Sequence, residues 1–233
     1  MNSKYTHLFF DLDHTLWDFE KNSLHSLQVV YEQCELATKG INSFQEFNEI
    51  YQDINHRLWA RFRNGYIKRE ELRWKRMWQT LIHFRILDKA LAEQMSELYL
   101  DVLPTQNHLF PYAIEALAYC QSQSYEMHII TNGFEKTQIQ KLKNAKLQPY
   151  FKEIITSEMA MSIKPQKEIF EYAMKKTKAE ANQSIMIGDA LDIDILGAKN
   201  VAMDQIFFNP NKVAHSDNPT YEIHCLSMLK DIL

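Results

Sequence analysis

Leu8-Phe9-Phe10-Asp11-Leu12-Asp13-His14-Thr15 is the stretch on which the fold turns. Its three apolar residues read as a short buried strand, and the chain leaves that strand through Asp-x-Asp-x-Thr. Open α/β sheets keep their ligand sites beyond the carboxyl ends of the strands, so Asp11 and Asp13 are expected at that edge. Two acids so close ionise together only around a cation, or else share a proton, which points to metal-assisted chemistry. An EF-hand loop also opens with alternating acids. It requires Gly at its sixth position and Glu at its twelfth, where this chain has Leu16 and Asn22. A plain strand end with two solvated acids stays open at this point.

Outward from this strand the chain shows two different periods. Between residue 20 and about residue 103 apolar residues recur at helical spacing. Leu24, Leu27, Tyr31 and Cys34 share one face; Phe47, Ile50, Tyr51, Ile54 and Leu58 another; then Trp74, Met77, Trp78 and Leu81; then Leu91, Met95, Leu98 and Val102. Asn64-Gly65 separates the second helix from the third, and Asp88 caps the fourth. After Pro104 short apolar runs at 127–131, 153–156, 184–188 and 205–208 alternate with helical patterns near 111–122, 134–145, 165–176 and 192–200. That alternation predicts an α/β fold: a Rossmann-like parallel sheet core flanked by helices. The first strand must join this sheet, since alone it has no partner. The helical block is then a four-helix domain over 17–104, inserted into a core formed by 1–16 and 105–233.

Three further signals fall in order behind the first. The second strand ends in Thr131-Asn132-Gly133, where a hydroxyl, an amide and backbone N–H groups at a helix start can hold an anion. The same tripeptide also serves as a turn and cap. Lys164-Pro165 opens the next helix, with Pro suited to a first turn; a single lysine there reads equally as surface. The fourth strand runs through Gly188 into Asp189, Asp192 and Asp194, again delivering carboxylates to a strand end, with helix capping as the alternative for Asp192.

Composition narrows the chemistry. With 12% aromatic and 24% charged residues over 233, the chain is an ordinary globular sequence, and its net charge of −4 gives no general attraction to nucleic acid or anionic lipid. Cys34, Cys120 and Cys225 have no Cys-x-x-Cys spacing, so free thiols in a reducing cytoplasm are expected. No apolar run reaches the ~18 residues of a membrane span. The five glycines stand at 40, 65, 133, 188 and 197, which excludes both Gly-x-Gly-x-x-Gly and a P-loop.

Taken together, the four signals resemble the haloacid dehalogenase-like hydrolase superfamily. Its motifs are Asp-x-Asp-x-Thr, a Ser or Thr ending the second core strand, a Lys, and Gly-Asp with a further acid. The helical insert is similar to the cap of one large subgroup. The string Asp11 to Phe19 with Thr131-Asn132-Gly133 is similar, more narrowly, to the branch of pyrimidine 5'-nucleotidases. The resemblance implies a phosphomonoester hydrolase with Asp11 as nucleophile, forming an aspartyl-phosphate, and Asp13 as general acid and base. Superfamily dehalogenases lack an acid at that second position. It further implies Mg²⁺ held by Asp11, the carbonyl of Asp13, and Asp189. Lys164 and Thr131 would face the phosphate, helped by the N–H groups of Asn132 and Gly133, while Asp194, or its competitor Asp192, and Thr15 would stand one step behind. Specificity is expected from the insert and its borders, with Trp17, Phe19, Tyr66 and Arg69 as candidates for holding a base. Trp59, Trp74 and Trp78 read as bundle core, and the run from Lys68 to Arg76 as largely solvated. The expected partner is a small phosphorylated substrate. A sugar-phosphate or phosphoglycolate phosphatase, a phosphomutase, and a phosphate-sensing regulator are the competing readings.

Overall fold

Strand β1 (His7–Phe10) buries Leu8, Phe9 and Phe10 completely, as expected of a strand covered on both faces. The computed structural model describes residues 4–233. Beyond β1 the chain runs into four helices, α1 (Phe19–Gln33), α2 (Phe44–Arg63), α3 (Arg69–His83) and α4 (Lys89–Val102). The residues Glu20–Gln106 cluster as one unit, and the rest of the chain, up to Phe19 and from Asn107, as a second.

Local chemistry sets the helix ends. The Ser43 hydroxyl accepts from Glu46 N at the start of α2, and the Asp88 carboxylate accepts from Leu91 N at the start of α4, each satisfying an otherwise orphaned donor. At α3 the Lys68 N–H donates to the Glu71 carboxylate, the reciprocal half of a capping box. Asn64 ends α2 and Gly65 follows at φ +74°, a conformation that costs glycine nothing. Within this unit α3 packs against both α2 and α4.

The buried faces of the helices differ from the periodicity reading. On α1 the buried residues are Asn22, Ser23, Ser26, Leu27 and Val30, while Leu24 is exposed. The polar ones are tolerated because they find partners: Ser23 Oγ meets Tyr99 Oη at 2.9 Å, and Ser26 Oγ donates to the Asn22 carbonyl at 2.7 Å. Trp59, Trp74 and Trp78 are half-buried; Phe47, Tyr51 and Tyr99 form the aromatic interior instead. Arg76, placed by sequence on a solvated run, is also buried.

The chain re-enters the α/β unit alongside its exit. Phe110 N donates to Leu16 O and Asp18 N to His108 O, both at 3.0 Å, so the two passages run as a short paired ribbon. There follow α5 (Ala113–Ser122), β2 (Glu126–Thr131), α6 (Glu135–Asn144), β3 (Glu153–Thr156), α7 (Ser157–Ala160), α8 (Lys167–Thr177), β4 (Ser184–Gly188), α9 (Leu196–Lys199), β5 (Asp204–Phe208) and β6 (Tyr221–Ile223). All five pairings are parallel, in the order β3-β2-β1-β4-β5-β6. Phe9, Ile130, Ile155 and Met186 from the sheet pack with Ile169 and Phe170 of α8 into one apolar cluster. Burial of each such side chain contributes about 1.5–3 kcal/mol.

Sequence reading missed β6, whose three residues carry two exposed side chains. It also merged a π-helical turn, Leu191–Ile195, with α9, and placed Pro165 inside a helix that begins two residues later. No helix among the described residues is long and apolar enough to cross a membrane.

Candidate active site

The sheet order reverses at β1, between β2 on one side and β4 on the other, and the crevice at such a switch is where α/β sheets bind ligands. Three motifs leave their strands here. Asp11 N still donates to the Ile187 carbonyl at 2.9 Å, so the ladder to β4 holds the backbone of Asp11 while its carboxylate projects past the last pair. Thr131 is the final residue of β2, and Asp189 the first after β4.

Lys164 reaches into this crevice from the loop ahead of α8 and is 1% exposed. Its ammonium donates to Asp11 Oδ1 at 2.5 Å and to the Ile130 carbonyl at 2.8 Å, and is ion-paired with Asp194 Oδ1 at 2.6 Å. Asp194 is turned inward by the π-helical turn, where Ile193, Asp194 and Ile195 all direct their N–H groups at the Ala190 carbonyl. Asp192 is exposed, whereas Asp194 is buried and faces Lys164. A Cβ on Gly188 would overlap the Asp194 carboxylate, which explains the glycine at that strand end. Thr15, wholly buried, donates its hydroxyl to Asp189 Oδ1 at 3.1 Å.

Asp11, Asp189 and Asp194 bring carboxylate oxygens within 4.8 Å of one another, against the single positive charge of Lys164. Burial pushes Asp11 up to about 8 and Asp189 up to about 7, and the neighbouring acids reinforce both shifts. For Lys164 burial acts downward, but Asp11 and Asp194 outweigh it and hold the ammonium above the ordinary lysine range. An all-oxygen donor set with surplus negative charge fits a hard divalent cation.

Asp13 belongs to a second arrangement. Its carboxylate is 2.6 Å from Lys141 Nζ and 2.9 Å from Gln138 Nε2, and so lies outside the three-acid cluster. Gln138 also donates to Thr131 Oγ1 at 2.7 Å, tying Asp13 to the end of β2. The Lys141 ammonium, 2% exposed, stands 4.1 Å from the centre of the Trp17 ring, a cation–π contact. Neither Gln138 nor Lys141 was singled out by sequence. The available signal was a polar stripe, Thr137, Gln138 and Lys141, on the face of α6 that also carries buried Leu142.

The expected exposure of Trp17 to a base is corrected, and the Asn132 side chain and Gly133 N–H have partners within the site. The Asn132 side chain is spent as a clamp on Lys164: its Nδ2 donates to the Lys164 carbonyl and its Oδ1 accepts the Lys164 N–H. Gly133 N donates to Thr131 Oγ1, and a Cβ there would strike Gln138. Trp17 is wholly buried beneath Lys141 and offers no open face to a base. Phe19 is half-buried beside His14 and Trp17. Tyr66, strongly exposed, and Arg69 belong to the helical unit.

The sequence matches the model of the haloacid dehalogenase-like hydrolase family over residues 8–208. It is 31% identical to the HAD-hydrolase YfnB of Bacillus subtilis, with 99% of this chain and 96% of that protein aligned. It is 29% identical to the pyrimidine 5'-nucleotidase PynA of Streptococcus pneumoniae, over 98% and 95% of the two chains. With the pyrimidine 5'-nucleotidase YjjG of Escherichia coli the identity is 28%, over 99% and 98%. A crystal structure of YfnB bound to magnesium superposes with a TM-score of 0.89, covering 99% of each chain.

Proposed function

Since this chain belongs to the haloacid dehalogenase-like hydrolase family, we propose that it is a Mg²⁺-dependent phosphomonoesterase acting on pyrimidine nucleoside 5'-monophosphates. The observation that carries the phosphatase reading is the pair of carboxylates at the end of β1, held in two different environments. Asp11 sits with two further acids and Lys164, whereas Asp13 is set apart against Lys141 and Gln138. Carboxylates two residues apart with different partners suit two different roles.

In this reading Asp11 attacks phosphorus in line, forming an O–P bond as the bond to the leaving oxygen breaks. Asp13 gives its proton to that oxygen. The carboxylate then takes a proton from a water, whose oxygen attacks phosphorus, and the Asp11–phosphorus bond breaks to release inorganic phosphate. Lys164, fixed by the Asn132 clamp, orients Asp11 and balances part of the charge. The Thr131 hydroxyl accepts from Gln138 and Gly133 and so keeps its own proton for a phosphate oxygen. Asp11, Asp189 and the backbone carbonyl of Asp13 would hold Mg²⁺, with Asp194 and Thr15 behind them, and the ion would supply charge neutralisation for the phosphate.

The nucleotide part rests on relatives named pyrimidine 5'-nucleotidase that align over nearly the whole chain. The helical unit, Glu20–Gln106, is the proposed cap that recognises the nucleoside, with Phe19 as the aromatic available at its border. The test is phosphate release with Mg²⁺ from a panel of phosphomonoesters. dUMP and dTMP are expected to exceed sugar phosphates and phosphoglycolate in kcat/KM by about tenfold or more, the worth of one base stack. A hexose phosphate or phosphoglycolate that outperforms every nucleotide would remove the nucleotidase reading and leave the phosphatase.

A further inference from the structure

At the opposite edge of the same sheet, where the parallel strands begin, lies a cluster that the hydrolase chemistry does not use. His7 opens β1 and Glu126 opens β2, paired in register, and His128 follows two residues on, on the same face as Glu126 by strand alternation. One ligand atom from each of the three lies within 4.8 Å of the others. His7 Nδ1 and His128 Nε2 are 3.3 Å apart, with the rings inclined by only 20°. Two nitrogens bound at about 2.0–2.1 Å to one tetrahedral ion stand about 3.3–3.4 Å apart, so the imidazoles already span the required edge.

Glu126 completes the set. Its Oε1 is tied to Lys152 Nζ at 2.6 Å, while Oε2 faces His7 Nδ1 at 3.9 Å, one small side-chain shift from the same point. A carboxylate oriented through one oxygen by a neighbour is the usual state of a metal ligand. The route from solvent is open, with the His7 side chain 13% exposed and that of Glu126 39%. His128 is 1% exposed against the Phe9 ring, with its Nε2 turned toward His7 Nδ1.

We propose that His7, Glu126 and His128 form a second metal site, for a borderline transition ion of the zinc class, distinct from the oxygen-only cluster around Asp11. Two imidazoles and one carboxylate favour such an ion over Mg²⁺, which prefers oxygen and water. With three protein ligands, a water fills the fourth position.

The probe is Zn²⁺ itself, added to the full chain in millimolar Mg²⁺ and followed by metal analysis after gel filtration and by the zinc-induced rise in Tm. Co²⁺ replaces it for the visible spectrum of a tetrahedral imidazole-bound ion. The parent and Asp189→Ala are expected to retain one zinc per chain. His7→Ala and Glu126→Gln, both at partly exposed positions, should weaken it at least about tenfold and lose the Tm rise. Turnover of p-nitrophenyl phosphate should be unchanged in His7→Ala. Failure of the parent to retain zinc, undiminished affinity in His7→Ala, or zinc lost in Asp189→Ala but kept in His7→Ala would each overturn the proposal.

Discussion

Arg76 in the helical unit and Lys164 in the α/β unit are both buried cations, and they keep different company. The Arg76 guanidinium meets the Asn55 Oδ1 and the Leu72 carbonyl, each at 3.2 Å, and lies 5.6 Å from the centre of the Tyr99 ring. Its surroundings are dipoles and a π face, closed on themselves by Ser23, Tyr99 and Asn55. Lys164 instead meets two carboxylates and has a third acid nearby, so its surroundings stay negative after it has been counted. A buried polar group satisfied by neutral partners serves architecture. One left in surplus charge awaits a ligand.

The strongest way to break this comparison is Asp11→Asn. On the proposed chemistry it lowers kcat for p-nitrophenyl phosphate at least about a thousandfold, roughly 4 kcal/mol of barrier. The metal-free Tm should hold or rise, because one crowded buried carboxylate is gone. Activity above about a tenth of the parent contradicts the nucleophile assignment.

Lys141→Met addresses the second arrangement. Without the ammonium the Asp13 carboxylate loses its closest partner, and kcat for dUMP should fall about ten- to hundredfold, 1.4–2.7 kcal/mol, with KM within about twofold. A change confined to KM would move Lys141 from positioning Asp13 to holding substrate.

A third test uses pH. Asp11 and Asp189 are raised in the folded chain, so the folded state holds protons that the unfolded chain has already released. Metal-free stability should therefore fall as pH rises toward the folded values. Burial holds His7 and His128 below the ordinary histidine range, so they titrate below pH ~6.5. Between pH ~6.5 and 8 the Tm of the metal-free protein should drop by about 2–4 °C, on the order of 1 kcal/mol. Asp189→Asn should flatten the decline, and Mg²⁺ should raise the parent Tm most at the upper end. A metal-free Tm that climbs across this window would count against the surplus of acid.

The smallest effect belongs to Arg76→Met, which keeps the apolar stem and removes hydrogen bonds satisfied by neutral partners. Its Tm should fall by about 2–4 °C, near 1 kcal/mol, with kcat for p-nitrophenyl phosphate within about twofold. A large loss of turnover at unchanged Tm would show that the helical unit's buried cation is functional after all.

What could be read from sequence follows from where each residue stands. Asp11, Thr131 and Asp189 end apolar strands, and a strand end fixes where a side chain must emerge, so the sheet and its charged edge were both legible. Lys141 and Gln138 were not, because within a helix a polar residue on the buried face looks like one on the solvent face until its partner is known. The same ambiguity exposed Leu24, half-buried Trp74 and Trp78, and hid Arg76. Choosing between Asp192 and Asp194 needed the π-helical turn, which shifts the face by one residue and leaves no mark in apolar spacing. Trp17 stands next to the right loop, but nothing in its spacing shows that Lys141 covers its ring.

The central claim is that phosphorus is transferred to Asp11. Asp13→Ala, which should accept p-nitrophenyl phosphate but hydrolyse the acyl phosphate slowly, can be mixed with substrate and Mg²⁺, quenched in acid and mapped by mass spectrometry. The account predicts a phosphoryl group on the peptide carrying Asp11, at higher occupancy than in the parent and absent from Asp11→Asn. A phosphoryl group on another residue, or its persistence in Asp11→Asn, would contradict it.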